Sequence, residues 1–137
     1  MVMKITGIIE RNDNKYYQIS SEDELMNCCF GGYGYSVEEA KQDFYKSIEE
    51  AKEIIIERGD KLPDEANNIT VEFQYDLPSF FNCFDWINVS QFAKRAGINE
   101  SKMRQYKAGI ASASEETMNK ILGVVREIGN ELKAVRM

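Results

Sequence analysis

Six polar or charged side chains crowd into residues 100–107, and their types are those that hydrogen-bond to base edges or pair with phosphate. They are Glu100, Ser101, Lys102, Arg104, Gln105 and Lys107. If this stretch is helical, Met103 and Tyr106 mark an inward face and leave the six facing outward. An outward face of short polar and basic side chains is what the major groove of double-stranded DNA accepts.

The elements that would position this face are marked by caps and a glycine turn. Asn88 can accept hydrogen bonds from the free backbone N–H groups at the start of a first helix, with Gln91 reaching back to it. Gly97 supplies the left-handed turn that ends that helix, Asn99 caps the next one, and a later glycine ends it. Residues 88–109 are thus predicted to form a helix-turn-helix.

Helices are also predicted on both sides of this pair. Residues 77–86 contain four aromatics beside a proline, enough for a short helix. Residues 115–135 carry a predicted inward stripe of Met118, Ile121, Leu122, Val125, Ile128 and Leu132. Val124 and Val135 fall off this stripe, so we expect them to be exposed and to carry a dimer contact. The alternative for the whole region is an ordinary helical hairpin with a solvated charged face.

Charge is divided unevenly along the chain. Residues 1–76 carry 8 Lys or Arg and 17 Asp or Glu, a net charge of −9, whereas residues 77–137 carry 9 and 6, a net charge of +3. The basic half suits phosphate and the acidic half suits a basic protein. The alternative is that the acidic surface simply aids solubility.

Length and composition allow one medium domain or two small ones, since 43% of the 137 residues are hydrophobic. No apolar run reaches membrane-spanning length and the start of the chain lacks a signal-peptide pattern, so we expect a cytoplasmic protein with no membrane partner. The three cysteines, Cys28, Cys29 and Cys83, are expected to be reduced and mostly buried thiols.

The N-terminal half predicts a sheet with one helix. Patterned apolar residues indicate strands at 4–11, 15–20, 26–35 and 69–75, with a turn at 12–14 and an acidic loop at 22–24. A capping box at 36–39 opens a helix that ends at Gly59. Its apolar stripe is Ala40, Phe44, Ile48, Ala51 and Ile55. The predicted order is β-β-β-α-β.

This order, with SVEEAKQDFYKSIEEA opening the helix, resembles the HicB antitoxin family, whose N-terminal domain is similar to a truncated ribonuclease H fold. The family's usual Pro-Gly-Cys is replaced by Met-Asn-Cys-Cys at 26–29. In the C-terminal half, FAKRAGINESKMRQYKAG and ASEETMNKI resemble the helix-turn-helix and following helix of lambda-repressor-like (Xre/Cro) domains. The resemblance implies an α+β chain with a HicB-like toxin-binding domain at 1–76. An all-α helix-turn-helix domain for DNA binding and dimerisation would follow at 77–137.

The resemblance also implies a function, that of an antitoxin in a HicAB-like toxin-antitoxin system. Such a protein would sterically neutralise a small basic HicA-like toxin that cleaves mRNA, and would repress its own operon as a homodimer or higher homo-oligomer on operator DNA. By the same resemblance, base edges would be read by Glu100, Ser101 and Gln105. Phosphates would be contacted by Lys102, Arg104 and Lys107, with Gln91 helping at the start of its helix. The alternative for Arg104 or Lys107 is a surface charge paired with Glu100 or another acid.

Enzyme activity is not expected. The chain has no histidine and no Cys/His set with zinc spacing. The carboxylates available for a ribonuclease H-like metal site are Glu10, Glu39, Asp43 and Glu72. We expect these to be solvated surface acids instead. We therefore expect no metal and no cofactor. Two rival functions stay open: a stand-alone transcriptional regulator whose N-terminal domain binds a ligand or a protein, and an adaptor that uses its helices only for oligomerisation.

Overall fold

The computed structural model describes residues 3–12, 15–22 and 28–137. Within those ranges the chain is a mixed α/β protein with one four-stranded sheet and five α-helices. It divides into two compact units, Met1–Ser79 and Phe80–Met137, close to the boundary predicted at residues 76 and 77. Among the described helices, none has both the length and the apolar character needed to cross a membrane.

The sheet of the N-terminal unit combines antiparallel and parallel pairs. Its strands are β1 (Met3–Arg11), β2 (Tyr17–Ser21), β3 (Gly31–Gly34) and β4 (Ile69–Gln74). They lie in the order β3-β2-β1-β4, and β1 pairs antiparallel with β2 and parallel with β4. A parallel neighbour requires a crossover connection, which includes helix α1 (Val37–Glu57). This topology leaves β3 at one edge of the sheet.

Helix α1 covers one face of this sheet. The Ser36 hydroxyl oxygen accepts a hydrogen bond from the Glu39 backbone N–H at 3.1 Å, so the helix begins at the predicted cap. Both layers contribute to a core of Ile5, Ile9, Ile19, Phe30, Ala40, Phe44 and Ile48. At the edge strand the two layers approach so closely that a Cβ on Gly32 would overlap the α1 backbone. Glycine is therefore required there, and α1 lies directly against β3.

The structure departs from the predicted elements mainly around β3. The strand predicted at 26–35 is shorter, because β3 pairs only with the four β2 residues that lie opposite Gly31–Gly34. The start of the predicted strand, at 26–27, lies outside the described residues, as do residues 13–14 of the turn and 23–24 of the acidic loop. A short 3-10 helix, Asp64–Asn67, precedes β4.

The cysteines are less buried than predicted. None of the three forms a disulfide, but Cys29 is exposed and Cys28 and Cys83 are only half-buried. Cys28 and Cys29 precede the edge strand and line an open cavity of about 540 Å³, together with residues such as Ala51 and Arg58. The expectation of mostly buried thiols is therefore wrong: Cys28 and Cys29 lie just before the edge strand, and Cys83 is the last residue of α2.

Four helices form the rest of the chain. They are α2 (Leu77–Cys83), α3 (Val89–Ala96), α4 (Glu100–Lys107) and α5 (Glu115–Ala134). The predicted helix pair in residues 88–109 is confirmed as α3 and α4, which are joined by a short turn. The buried apolar side chains of this part of the chain are Phe81, Phe92, Ala93, Met103, Tyr106, Ile121 and Val124.

The predicted inward stripe of α5 is partly wrong. Ile121 is buried as predicted, but Val124 is also buried, at 4% exposure, whereas Leu122 is 41% and Leu132 57% exposed. Apolar spacing marks a stripe wider than the small core that the neighbouring helices supply, so only the side towards Ile121 and Val124 is covered. Leu132 lies near the end of α5, where every described side chain from residue 129 onward is exposed. Val135 is exposed as expected, and it caps the helix rather than belonging to it.

Candidate nucleic-acid interface

Helix α3 is fixed at both ends by local hydrogen bonds. Asn88 Oδ1 accepts a hydrogen bond from the Gln91 backbone N–H at 3.0 Å, which caps the N-terminus. At the other end Gly97 has a φ of 68° and a ψ of 32°, the left-handed conformation that the turn requires. The Ile98 backbone N–H then donates to the Ala93 carbonyl oxygen at 2.9 Å, which closes the turn. The direction of the next helix is therefore set by these few residues.

Helix α4 presents the predicted polar face. Asn99 Oδ1 accepts a hydrogen bond from the Lys102 backbone N–H at 3.1 Å, so Asn99 is the cap. Met103 and Tyr106 are buried in the helical core. At about 100° per residue, the face opposite to these two carries Ser101, Arg104 and Gln105. Of these, Ser101 and Arg104 are exposed and Gln105 is half-buried.

The remaining predicted contacts lie on the flanks of this face or on α3. Lys102 is exposed, and its Nζ lies 5.8 Å from the centroid of the Tyr106 ring. Lys107 is exposed at the last residue of α4, and Gln91 is exposed in the first turn of α3. The predicted bond from the Gln91 side chain back to Asn88 is not formed among the described residues.

Glu100 pairs with two cations, Arg104 on the polar face of α4 and Lys94 on α3. Its Oε2 lies 3.7 Å from Arg104 Nη2, one helical turn away, and its Oε1 lies 3.8 Å from Lys94 Nζ of α3. Arg104 Nη2 also donates a hydrogen bond to Ser90 Oγ at 3.0 Å. Lys94 and Arg104 are exposed and Ser90 and Glu100 are half-buried, so each ion pair lies at the surface and contributes little to stability. The four side chains form one polar network across the two helices.

Two members of this network, Ser90 and Lys94, were not identified from the sequence. They lie four residues apart on α3 and therefore share one face of that helix. The i, i+4 spacing is visible in the sequence, but which face of α3 meets α4 depends on the turn angle. The structure therefore adds a serine and a lysine to the candidate interface.

Helix α5 is tied to α3 by an exposed arginine. Arg95 Nη2 donates to Glu131 Oε2 at 2.6 Å and lies 3.5 Å from Glu127 Oε2. The hydrogen bond to Glu131 is the main cause that raises the pKa of Arg95 above its ordinary value. The two glutamates lie four residues apart on α5, so both lie on the side of that helix that meets the Arg95 guanidinium.

An apolar groove opens beside this contact. It has a volume of about 170 Å³. Its lining is Phe80, Phe84, Trp86, Ile87, Val125, Ile128, Gly129 and Leu132. Trp86 is 64% exposed and Leu132 57% exposed, so large apolar side chains on both walls of the groove face solvent. Exposed apolar surface is common at association sites, so the groove is a candidate for one.

Three of the four carboxylates considered for metal-assisted chemistry, Glu39, Asp43 and Glu72, pair with groups of the protein. Asp43 accepts a hydrogen bond from the Tyr33 backbone N–H at 2.9 Å, and Glu39 accepts one from Tyr35 at 2.8 Å. Glu72 pairs with Lys4, and this hydrogen bond is the main cause that lowers the pKa of Glu72. In the described ranges no three or more His, Cys, Asp or Glu side chains group closely enough to hold a metal ion.

The chain matches no protein-family model, no curated protein and no solved structure.

Proposed function

We propose that this protein is the antitoxin of a HicAB-like toxin-antitoxin pair and that it also represses its own operon. The observation that carries the DNA-binding part is the geometry of α3 and α4. Both helices begin at asparagine caps, the left-handed Gly97 sets the turn between them, and a polar face on α4 lies opposite Met103 and Tyr106. A helix pair of this kind places its second helix in a major groove.

In this proposal the position and chemistry of each α4 side chain determine whether it contacts bases or phosphates. Ser101 and Gln105 read base edges, because they lie on the exposed face and can donate and accept hydrogen bonds. Lys102 and Lys107 contact phosphates on either flank. Glu100 takes part in base reading, and it holds Arg104 until a phosphate replaces the carboxylate as the partner of the guanidinium. Gln91 contacts the backbone from the start of α3.

A second copy of the chain is proposed to cover the apolar groove beside Trp86. Two helical units related by a twofold axis would present two α4 helices to half-sites one turn of DNA apart. The exposed side chains of Leu132 and Trp86 give the second copy apolar surface to bury. Val124, which the sequence pattern placed in the dimer contact, lies in the core and cannot form one. The protein is thus proposed to act as a homodimer or a higher homo-oligomer.

The dimer surface can be tested with a matched pair of variants. Leu132→Glu is expected to lower the mass in solution and to weaken operator binding, whereas Val135→Glu is expected to change neither. The two positions are 57% and 56% exposed, but only Leu132 lines the groove. Light scattering after size exclusion gives the mass, and a gel shift gives the affinity. Equal behaviour of the two variants would place the dimer contact elsewhere.

The N-terminal unit is proposed to neutralise a small basic toxin. Its sequence carries the net charge of −9, which favours a basic protein partner over a nucleic acid. The test has two arms, growth rescue from the product of an adjacent reading frame and a salt titration of binding to the chain's own promoter. A strong fall of promoter affinity with salt is expected, because phosphate contacts release counterions. No rescue and no promoter binding would refute the proposal.

A second candidate function is a stand-alone regulator whose N-terminal unit binds a small ligand. The cavity of about 540 Å³ favours it, since its volume is that of a small-molecule site and its lining includes Cys28, Arg58 and Lys61. The two candidates share the DNA-binding part and differ in their partner. Promoter binding that persists with no toxin encoded nearby, and that is abolished by a metabolite, would favour the regulator.

A further inference from the structure

The face of the sheet that α1 does not cover ends in a group of tyrosines at the β3 edge. Gly32 and Gly34 face α1, so the alternation of the strand turns Tyr33 to the opposite face. Tyr33 is 52% exposed and Tyr35, just after the strand, is 79% exposed. The Tyr16 ring lies 6.1 Å from the Tyr33 ring in a stacked arrangement and 4.9 Å from the Tyr35 ring edge-on. We call Tyr16, Tyr33 and Tyr35 the tyrosine edge.

Each tyrosine of this edge is held at its backbone by a side chain. The Tyr16 N–H donates to Asn12 Oδ1 at 3.0 Å. The N–H groups of Tyr33 and Tyr35 donate to Asp43 and Glu39 of α1. The rings are therefore carried on a fixed backbone, which lowers the entropy that binding would cost. Tyr16 is half-buried, whereas the rings of Tyr33 and Tyr35 face solvent on this anchored backbone. Exposed tyrosine rings are enriched in protein–protein interfaces, which makes the tyrosine edge a candidate contact surface.

Charge decides which kind of partner the tyrosine edge suits. Aromatic rings on an open sheet face are also used to stack the bases of single-stranded nucleic acid, but such surfaces are otherwise basic. Here the unit is strongly acidic, and Glu10 lies in line with the tyrosines because Glu10 pairs with Gln18 and Gln18 with Tyr33. Two strand spacings separate Glu10 from Tyr33, about 10 Å. Ring faces beside carboxylates attract cations, and above all arginine.

We infer that the tyrosine edge is the surface on which the N-terminal unit receives arginine or lysine side chains of a small basic protein. This inference rests on the proposed function, whose toxin is such a protein, and it assigns the contact to a definite part of the sheet. The guanidinium would stack on a tyrosine ring and face a nearby carboxylate, so that ring and charge act together.

The test uses the full-length chain, a fluorescent nona-arginine peptide and a decauridine RNA. The double variant Tyr33→Ala/Tyr35→Ala leaves the net charge unchanged, so any loss of peptide binding reports the rings. The expected result is a loss of peptide affinity of about tenfold or more, as is usual for aromatic anchors. Tyr45→Ala is the matched control, because Tyr45 is 49% exposed in the same unit but lies on α1. Its affinity is expected to stay within about twofold of the unaltered chain.

Tyr33→Phe/Tyr35→Phe keeps the rings and guards against misfolding of the alanine variant. It is expected to bind the peptide like the unaltered chain, with circular dichroism confirming that all variants fold. Equal peptide affinity of the alanine variant and the unaltered chain would overturn the inference. Binding of decauridine in place of the peptide, through the same tyrosines, would also overturn it.

Growth rescue separates this inference from the proposed function. Neutralisation of the toxin by the unaltered chain and equally by the alanine variant would leave the proposed function standing and overturn the inference. Tyrosine-dependent peptide binding with no neutralisation of a toxin would support the inference and overturn the proposed function. Loss of both peptide binding and neutralisation in the alanine variant alone would support both.

Discussion

Replacing Val124 by alanine is expected to destabilise the helical unit by about 2 kcal/mol. Val124 is 4% exposed, so the two methyl groups that the substitution removes are buried in the core. At about 0.8 kcal/mol for each buried carbon, the transfer free energy alone is about 1.6 kcal/mol. The cavity that the substitution leaves adds to this figure, since the neighbours relax only in part. For a domain of this size the midpoint of thermal unfolding should fall by about 8 to 16 °C.

Trp86 makes this prediction measurable, because it is the only tryptophan of the chain and belongs to the helical unit. Its fluorescence during urea or thermal unfolding follows that unit separately from the sheet. Leu122→Ala is the matched control on the same helix, and its cost is expected to stay below about 1 kcal/mol because Leu122 is 41% exposed. The sequence pattern alone implies the reverse order, with Leu122 as the core residue. A larger loss for Leu122→Ala than for Val124→Ala would refute the reasoning.

Three further sets of substitutions test the interface and the sheet. Ser101→Ala or Gln105→Ala is expected to weaken operator binding by about 1 to 3 kcal/mol and to relax base preference, whereas Lys102→Ala should weaken binding to promoter and scrambled duplexes alike in gel shifts. Asn99→Ala removes the acceptor of the Lys102 N–H and should cost about 1 kcal/mol of helical-unit stability, followed by tryptophan fluorescence. Gly32→Ala sets a Cβ against the α1 backbone and should cost the N-terminal unit about 1 to 3 kcal/mol, measured from its near-ultraviolet tyrosine signal.

Each of these predictions has a control within the chain. Asn99→Asp keeps an acceptor oxygen at the cap and should retain the stability that Asn99→Ala loses. A Cβ on Gly31 would meet only the Ile19 carbonyl oxygen, at 3.5 Å, so Gly31→Ala should be tolerated. Equal destabilisation at Gly31 and Gly32 would contradict the close approach of α1 to β3. Equal losses on promoter and scrambled DNA for all three interface variants would contradict their assigned roles.

Helix starts were predictable from the sequence because capping is a local interaction. Ser36, Asn88, Asn99 and Ser114 each accept a hydrogen bond from the backbone N–H three residues on. The glycine turn at Gly97 was predictable for the same reason, since its conformation depends on one residue. Burial on α5 was not, because the side of the helix that is covered depends on where the other helices lie. Val124 and Leu122 both fit an apolar pattern, and only packing distinguishes them.

The candidate interface was predictable in its residue types but not in its internal contacts. The outward position of Ser101 follows from the burial of Met103 and Tyr106, which helical spacing implies. The link from Arg104 to Ser90 joins two helices and depends on the angle between them, so no spacing within one helix indicates it. The tyrosine edge was also missed, because it combines residues that are distant in sequence and meet only through strand register.

The two hydrogen bonds from the edge strand to α1 also bear on how this chain avoids aggregation. An edge strand with free N–H groups is a template on which another chain can add a strand. Asp43 and Glu39 accept hydrogen bonds from the N–H groups of Tyr33 and Tyr35, so these two donors are already paired and do not invite an added strand. Replacing Asp43 or Glu39 is therefore expected to promote aggregation even if the substituted chain still folds.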